Sequence, residues 1–386
     1  MKILIVEAAY GFGGSLTGLL DLLRYAPADI EPVLITPFDP WQHIEPPPKL
    51  IHHQVDVRRP LPKSGGHWLP GLWRYHRDYY RPWYRVTRQA VKRFRPDLVV
   101  ANNSLSINFA VGRAAKRDGV ASVLHQKDFE YPGRLMRWMG NHAPFDRYLP
   151  MSRPLLDQLV ELGVPEDRCR EVFDPMTFPP ESMVQRRSER VAVDGASRPV
   201  VAMHSMIVRW KGQHVFLDAI AELHRRGVTD FRAIIAGAPP ADEPDYIDTL
   251  RDQARRIGIA DAVQFPGLQT DVYGFLSGVD IAVHCSIDPE PFGRVVPEAM
   301  LMGIPVIVSR GGGPSQYVDD PQTGRITPRG DAMALADAIE SMLRMSTGER
   351  ERLGGFGRKS ARQQFAPEPL AATMFEVYRE AAAMSG

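Results

Sequence analysis

The chain has 386 residues, of which 44% are hydrophobic and 24% charged, with a formal net charge of +1. That length exceeds one ordinary core and predicts two domains. The even charge balance excludes a protein drawn to nucleic acid by its overall field. The two cysteines, Cys169 and Cys285, read as reduced thiols rather than a disulfide framework. No run of about 18 apolar residues offers a membrane-spanning helix, and the cytoplasm is the expected compartment.

In chain order, short apolar runs alternate with amphipathic segments, the pattern of parallel sheets with helices on both faces. The first run predicts a strand over Lys2–Glu7 and lacks the apolar core of a secretion signal. It enters the loop Gly11-Phe-Gly-Gly-Ser15, which reads either as a tight turn or as a backbone cradle for phosphate or sugar. Leu16 stands where a dinucleotide fingerprint needs its third glycine, and no Gly-Lys-Ser/Thr follows for a P-loop. Further strands are predicted at Glu31–Thr36, Leu98–Asn102, Ser122–His125 and Arg147–Pro150.

Trp68–Arg95 sets Arg74, Arg77, Arg81, Arg85, Arg88, Lys92, Arg93 and Arg95 against one acid, Asp78, among interleaved tryptophans and tyrosines. It fits a helix pair with a solvated basic face, or an interfacial segment for anionic lipid. A nucleic-acid stacking surface is the least favoured reading. His125 closes a strand, and a histidine at a strand's carboxyl end is a candidate sugar contact, although most single histidines are structural.

Met183–Arg198 is polar and without apolar periodicity, which predicts a linker. The expected domains are therefore 1–182 and 199–362, joined by 183–198. A C-terminal helix within 363–386 is expected to cross back to the first domain. The second domain opens with a strand over Pro199–Met203 and the basic loop Arg209-Trp-Lys-Gly212. Two cations before a helix suit a diphosphate leaving group, or else form a solvated loop.

After the strand at Asp280–Ser286 comes Glu290-Pro-Phe-Gly-Arg-Val-Val-Pro-Glu298. Proline is tolerated only in a first helical turn, so a helix should start near Phe292–Arg294, with Glu290 before it and Glu298 inside it. Two acids bracketing a helix N-terminus suit a ligand with hydroxyls at both ends and phosphate between. Gly293 is expected to admit the ligand close to the backbone. No metal-ligand cluster and no Asp-x-Asp motif occurs, so neither metal nor cofactor is expected.

Together these motifs resemble the retaining nucleotide-sugar glycosyltransferases of the GT-B fold, in particular glycosyltransferase family 4. The shared marks are Gly13-Gly14, Arg209-Trp-Lys-Gly212, and Glu290 to Glu298 followed by Ala299, Gly303, Pro305 and Val306. The resemblance implies two Rossmann-like doubly wound domains facing a central cleft. It implies that Arg209 and Lys211 hold the donor diphosphate, that Glu290 and the backbone of Phe292, Gly293, Arg294 and Val295 hold the sugar, and that Glu298 holds the ribose. It places Gly13 and Gly14 near the phosphate or sugar, His125 near the transferred sugar, and Leu268 in a loop flanking the base. Phe173-Asp-Pro-Met176 departs from the Asn-Gly-(Ile/Val)-Asp usual in relatives, and His204-Ser205 from glycine-arginine.

The expected activity is transfer of a hexose-type sugar, with retention, to a polysaccharide, oligosaccharide or glycolipid acceptor. A peripheral position on the inner membrane face, through residues 68–95, goes with it. The rivals are a nucleotide-sugar epimerase or hydrolase of the same fold, and a non-catalytic nucleotide-sugar-binding protein.

Overall fold

The computed structural model describes residues 1–9, 13–41, 44–57, 73–193, 198–240 and 243–384, with 188–193 described by backbone alone. Gly11, Phe12 and the Trp68 end of the aromatic-basic segment fall outside these. The chain divides into two compact units, Met1–Thr177 with Ala366–Gly386, and Phe178–Phe365.

The first unit holds a six-stranded sheet: β1 (Lys2–Glu7), β2 (Glu31–Thr36), β3 (Ile51–Gln54), β4 (Leu98–Asn103), β5 (Ala121–Gln126) and β6 (Arg147–Pro150). Its order is β3-β2-β1-β4-β5-β6, all parallel. The central strands are buried throughout, as Ile3, Leu4, Ile5 and Val6 show at 0% exposure. This is why they read as continuous apolar runs rather than alternating ones. On one face lie α1 (Gly14–Arg24) and the last helix, α14 (Pro367–Ala383), which packs Phe375 and Tyr378 into the core of that face over β4, β5 and β6. On the other lie α2 (Arg81–Phe94), α3 (Leu105–Arg117), α4 (Arg134–Asn141) and α5 (Arg153–Glu161), packed through Trp83, Phe109 and Met139.

The second unit repeats the plan with β7 (Val200–His204), β8 (Arg232–Ala236), β9 (Val263–Gly267), β10 (Ile281–His284), β11 (Val306–Ser309) and β12 (Gly324–Thr327), ordered β12-β11-β10-β7-β8-β9 and parallel. Its helices are α6 (Glu181–Val193), α7 (Gln213–Arg225), α8 (Tyr246–Arg256), α9 (Val272–Leu276), α10 (Val295–Leu301), α11 (Pro314–Tyr317), α12 (Ala332–Leu343) and α13 (Thr347–Gln364). α13 starts in a capping box, with Ser346 and Glu349 satisfying each other's backbone amides.

Each sheet reverses its strand order once, between β1 and β4 and between β7 and β10. Such switch points open a crevice at the strands' carboxyl ends, where ligands of doubly wound folds bind.

The boundaries differ from expectation. Residues 183–198 are not a free linker: α6 reaches Val193 inside the second unit, and Arg187, 4% exposed, donates from Nε to the Val279 carbonyl at 3.3 Å. The units divide at Thr177 and again at Phe365, not at 182 and 362.

Candidate active site

At the second switch point, β10 ends on His284 and the chain loops through Glu290 to α10. Helix α10 starts at Val295, one residue later than expected, with Arg294 as its N-cap. Pro297 falls in the first turn, where a missing amide costs nothing. Gly293 has φ +71°, and a Cβ there would lie 2.9 Å from Pro314 Cγ and 3.0 Å from Glu290 Cγ. The glycine thus makes room for the Glu290 side chain itself.

The loop after β11 closes on the same turn. Gly312 pairs with Glu290, Gly313 donates its amide to the Glu290 carbonyl at 2.8 Å, and the buried Tyr317 hydroxyl donates to the Phe292 carbonyl at 2.5 Å. Gly312 has φ +115°, and a Cβ would approach the Glu290 carbonyl to 2.5 Å.

Glu290 is 7% exposed and ion-paired to Lys211, with His284 Nε2 at 3.0 Å and Ser286 Oγ at 3.4 Å. Burial opposes its charge, but the Lys211 ammonium and His284 outweigh burial and hold its carboxyl well below the usual range. It is therefore an anion at neutral pH.

Lys211 arrives from a single 3-10 turn, Arg209–Lys211, that is stitched to the β10 loop. Ile287 donates to the Trp210 carbonyl at 2.8 Å, and Gly212 (φ +81°) packs so that a Cβ would lie 2.1 Å from the Cys285 carbonyl. The two cations of the basic loop differ. Lys211 is neutralised by Glu290, whereas exposed Arg209 makes no ion pair with a described residue and stands 5.5 Å from the Tyr246 ring.

Glu298, 9% exposed, accepts from Arg294 Nε at 3.0 Å across one helical turn. The loops after β7, β8 and β9 are laced together: Ser205 donates to Ala236 at 3.0 Å and Gly237 to Gly267 at 2.9 Å. They expose two apolar side chains, Met206 at 48% and Leu268 at 60%. His204 packs on Phe275, and burial pushes its pKa down to about 4.

The profile for glycosyl transferases group 1 matches residues 186–360, and that for glycosyltransferase family 4 matches residues 12–173. Between them they span most of both units. The chain belongs to the group 1, family 4 glycosyltransferases. It is 32% identical to the lipopolysaccharide core biosynthesis glycosyltransferase LpsE of Rhizobium meliloti over 45% of its own length and 48% of LpsE, so the match spans about half of that relative. It is 28% identical to the D-inositol 3-phosphate glycosyltransferase of Nocardia farcinica over 85% of its length and 70% of that protein. Among solved structures, Anabaena HepE in complex with UDP and glucose superposes with a TM-score of 0.77 at 22% identity, covering 97% of this chain and 98% of that one. That likeness, with the two parallel sheets, establishes the GT-B fold class.

The second unit gathers Arg209, Lys211, Glu290, Phe292, Arg294, Val295 and Glu298 around the turn between β10 and α10. The motif spacing had marked these residues. The spacing did not mark His284, Ser286, Tyr317 or Gly312, which complete the turn. His284 was visible only as one polar residue at the end of an apolar run.

The first unit is less as foreseen. Gly13 is extended, at φ −167°, at the start of α1, and a Cβ there would meet no described residue within 4 Å. Gly14 begins that helix. His125 does not face open space. It is 1% exposed, held by the Tyr378 hydroxyl at 2.6 Å from Nε2, and burial keeps it neutral. The covering helix, α14, is the expected C-terminal helix that returns to the first unit, but nothing in the sequence around His125 places it there.

The polar groups at that sheet edge are others. Glu7 and Asn102 are partners in register across β1 and β4 and hydrogen-bond through their side chains. Asn102 also donates to Ser15 Oγ at 3.0 Å. Lys127 and Asp174 form an ion pair at 2.7 Å, with Gly18 leaving space for the carboxylate. Asp174 is the acid of the departing Phe173–Met176 segment, and this pairing is its role in the fold.

Of the aromatic-basic segment, Tyr79 and Trp83 are core residues, while Arg74, Arg81 and Arg85 lie exposed. Nearby α4 exposes Trp138 at 51%. Among the described residues, no helix is long and apolar enough to cross a membrane, and no cluster of three or more His, Cys, Asp or Glu could hold a metal ion.

Proposed function

We propose that the protein transfers a hexose-type sugar from a nucleoside diphosphate to a glycan or lipid-linked acceptor, with retention at the anomeric carbon and without a metal. The observation that carries this reading is the buried anion Glu290 at a sheet switch point, with one paired cation, Lys211, and a second, Arg209, that makes no ion pair among the described residues.

In this reading Arg209 and Lys211 bind the diphosphate and Glu290 accepts sugar hydroxyls. Amides of Phe292 to Val295 assist, Glu298 takes the ribose, and Leu268 with Met206 flanks the base. Gly13 and Gly14 lie against phosphate or sugar. His125, being buried, acts only through the packing of its sheet.

The bond from the anomeric carbon to the phosphate oxygen breaks and a bond to the acceptor oxygen forms. Negative charge grows on the leaving diphosphate, where the cations stabilise it. The acceptor's proton passes to a phosphate oxygen of the departing nucleotide. The UDP and glucose named for HepE support a uridine donor, and the lipopolysaccharide core named for LpsE supports a glycolipid acceptor. The exposed arginines of α2 with Trp138 then suit peripheral contact with an anionic membrane face.

The test incubates the protein with uridine and guanosine diphosphate sugars and a lipid-linked glycan, with and without chelator. Product mass and anomeric configuration are then read. Arg209→Ala with Lys211→Ala should slow transfer by orders of magnitude while the fold persists. Unaltered turnover rejects the assignment, and rapid sugar release or epimerisation without acceptor favours a hydrolase or epimerase.

A further inference from the structure

Among the described residues, every donor that reaches the Glu290 carboxylate meets the same oxygen. Lys211 Nζ, His284 Nε2 at 3.0 Å and Ser286 Oγ at 3.4 Å all converge on Oε2. Oε1 has no partner among the described residues, yet it is not among the enclosed unpartnered atoms, so it reaches solvent. A carboxylate oxygen has about two lone pairs. Oε2 is therefore saturated and Oε1 is the acceptor left for a ligand.

The three donors are not equivalent. Lys211 has a flexible stem and stands beside Arg209, where a diphosphate competes for its ammonium. Ser286 is the most distant. His284 is the rigid one: it is 3% exposed and closes β10. With His204, Phe275 and apolar side chains it lines a cavity of about 10 Å³, room for one water. Its Nδ1 has no partner among the described residues, so the ring's hydrogen bonds run through Nε2, to Glu290 and Ser286.

We infer that His284 is a positioning residue for the donor sugar: by holding Oε2 it fixes the rotation of the Glu290 carboxylate and commits Oε1 to a sugar hydroxyl. It keeps that orientation when Lys211 turns to the diphosphate. The inference rests on the reading that Glu290 binds the sugar.

The two ideas separate by comparing the affinity of the full chain for UDP and for UDP-glucose, and for GDP and GDP-mannose, by calorimetry. The affinity gained from the sugar is the readout. Glu290→Gln tests the underlying reading: an undiminished sugar gain overturns it. His284→Leu tests the inference. It should leave the nucleoside diphosphate affinity within twofold and cut the sugar gain on the order of tenfold, the worth of one hydrogen bond to a charged group. His284→Gln, which keeps a donor near the Nε2 position, should restore most of it.

A sugar gain kept in His284→Leu but lost in Glu290→Gln overturns the positioning role alone. So does a failure of His284→Gln to restore it. Should His284→Leu also lose nucleoside diphosphate binding, His284→Asn decides. It is polar but too short to reach Oε2, and a full sugar gain there overturns the inference.

Discussion

The side chains of Lys127 and Asp174 are 2% and 4% exposed, with Nζ 2.9 and 2.7 Å from the two carboxylate oxygens. Lys127→Met keeps the length of the stem and removes the charge. Asp174 is then enclosed without a cation. Gly18 presses so close that a Cβ there would sit 2.0 Å from Oδ2, which leaves little room for a substitute partner on that side. Removing one member of a buried pair costs about 3–5 kcal/mol. The Ser15 carbonyl, 3.3 Å from Nζ, loses that donor but keeps Asn102 Nδ2 at 3.4 Å, so it adds little to the loss. Lys127→Met combined with Asp174→Leu removes the desolvation penalty along with the attraction, and should recover at least half the loss. Five of the six tryptophans lie within Met1–Thr177, so intrinsic fluorescence during urea unfolding reports mainly on this unit. A loss below about 1 kcal/mol in Lys127→Met would refute the argument. So would a double variant that loses the sum of the two singles.

Three further outcomes follow. Burial raises the Glu7 carboxyl to about 7 against Asn102, the Ala9 amide and Lys127, so the folded first unit holds a proton that the unfolded chain releases. Stability of that unit should be greatest below the unfolded value near 4.5 and should fall by about 3 kcal/mol as pH rises to 7, then level off. Glu7→Gln should abolish that slope in urea unfolding at a series of pH values, and an unchanged slope would assign it elsewhere. Gly312→Ala, at φ +115° and 2.5 Å from the Glu290 carbonyl, should cost about 2 kcal/mol or more in thermal melting and weaken UDP-glucose binding with it. Reversing Arg74, Arg81 and Arg85 to glutamate should reduce sedimentation with anionic vesicles at least a hundredfold, from about 1 kcal/mol per cation removed. Binding that survives the change would exclude that face.

Most of both sheets was legible because their strands are buried on both faces. Ile3–Val6, Val200–Met203 and Val306–Val308 are unbroken apolar runs, as strands buried on both faces require. Strand β3, Ile-His-His-Gln over Ile51–Gln54, was not legible, since an edge strand needs little apolar character. Helix α4 was missed because Leu135 and Trp138 point outward, which blurs its period. The acids and cations around Glu290 were legible from spacing within one loop and from a recurring family pattern. The meeting of Lys211 with Glu290 was not, because 79 residues separate them and only the pairing of β7 with β10 brings them together. His125 misled for the same reason on a larger scale: its partner Tyr378 lies 253 residues away.

Because Tyr378 and Phe375 complete one face of the first sheet, the amino-terminal lobe is finished by residues that leave the ribosome only after all of Phe178–Phe365. The middle lobe is uninterrupted and is able to mature as soon as it emerges. The opening lobe meanwhile waits with a greasy groove uncovered over β4, β5 and β6, a window in which chaperones or a proteolytic clip at the carboxyl end would act on the half that was made first.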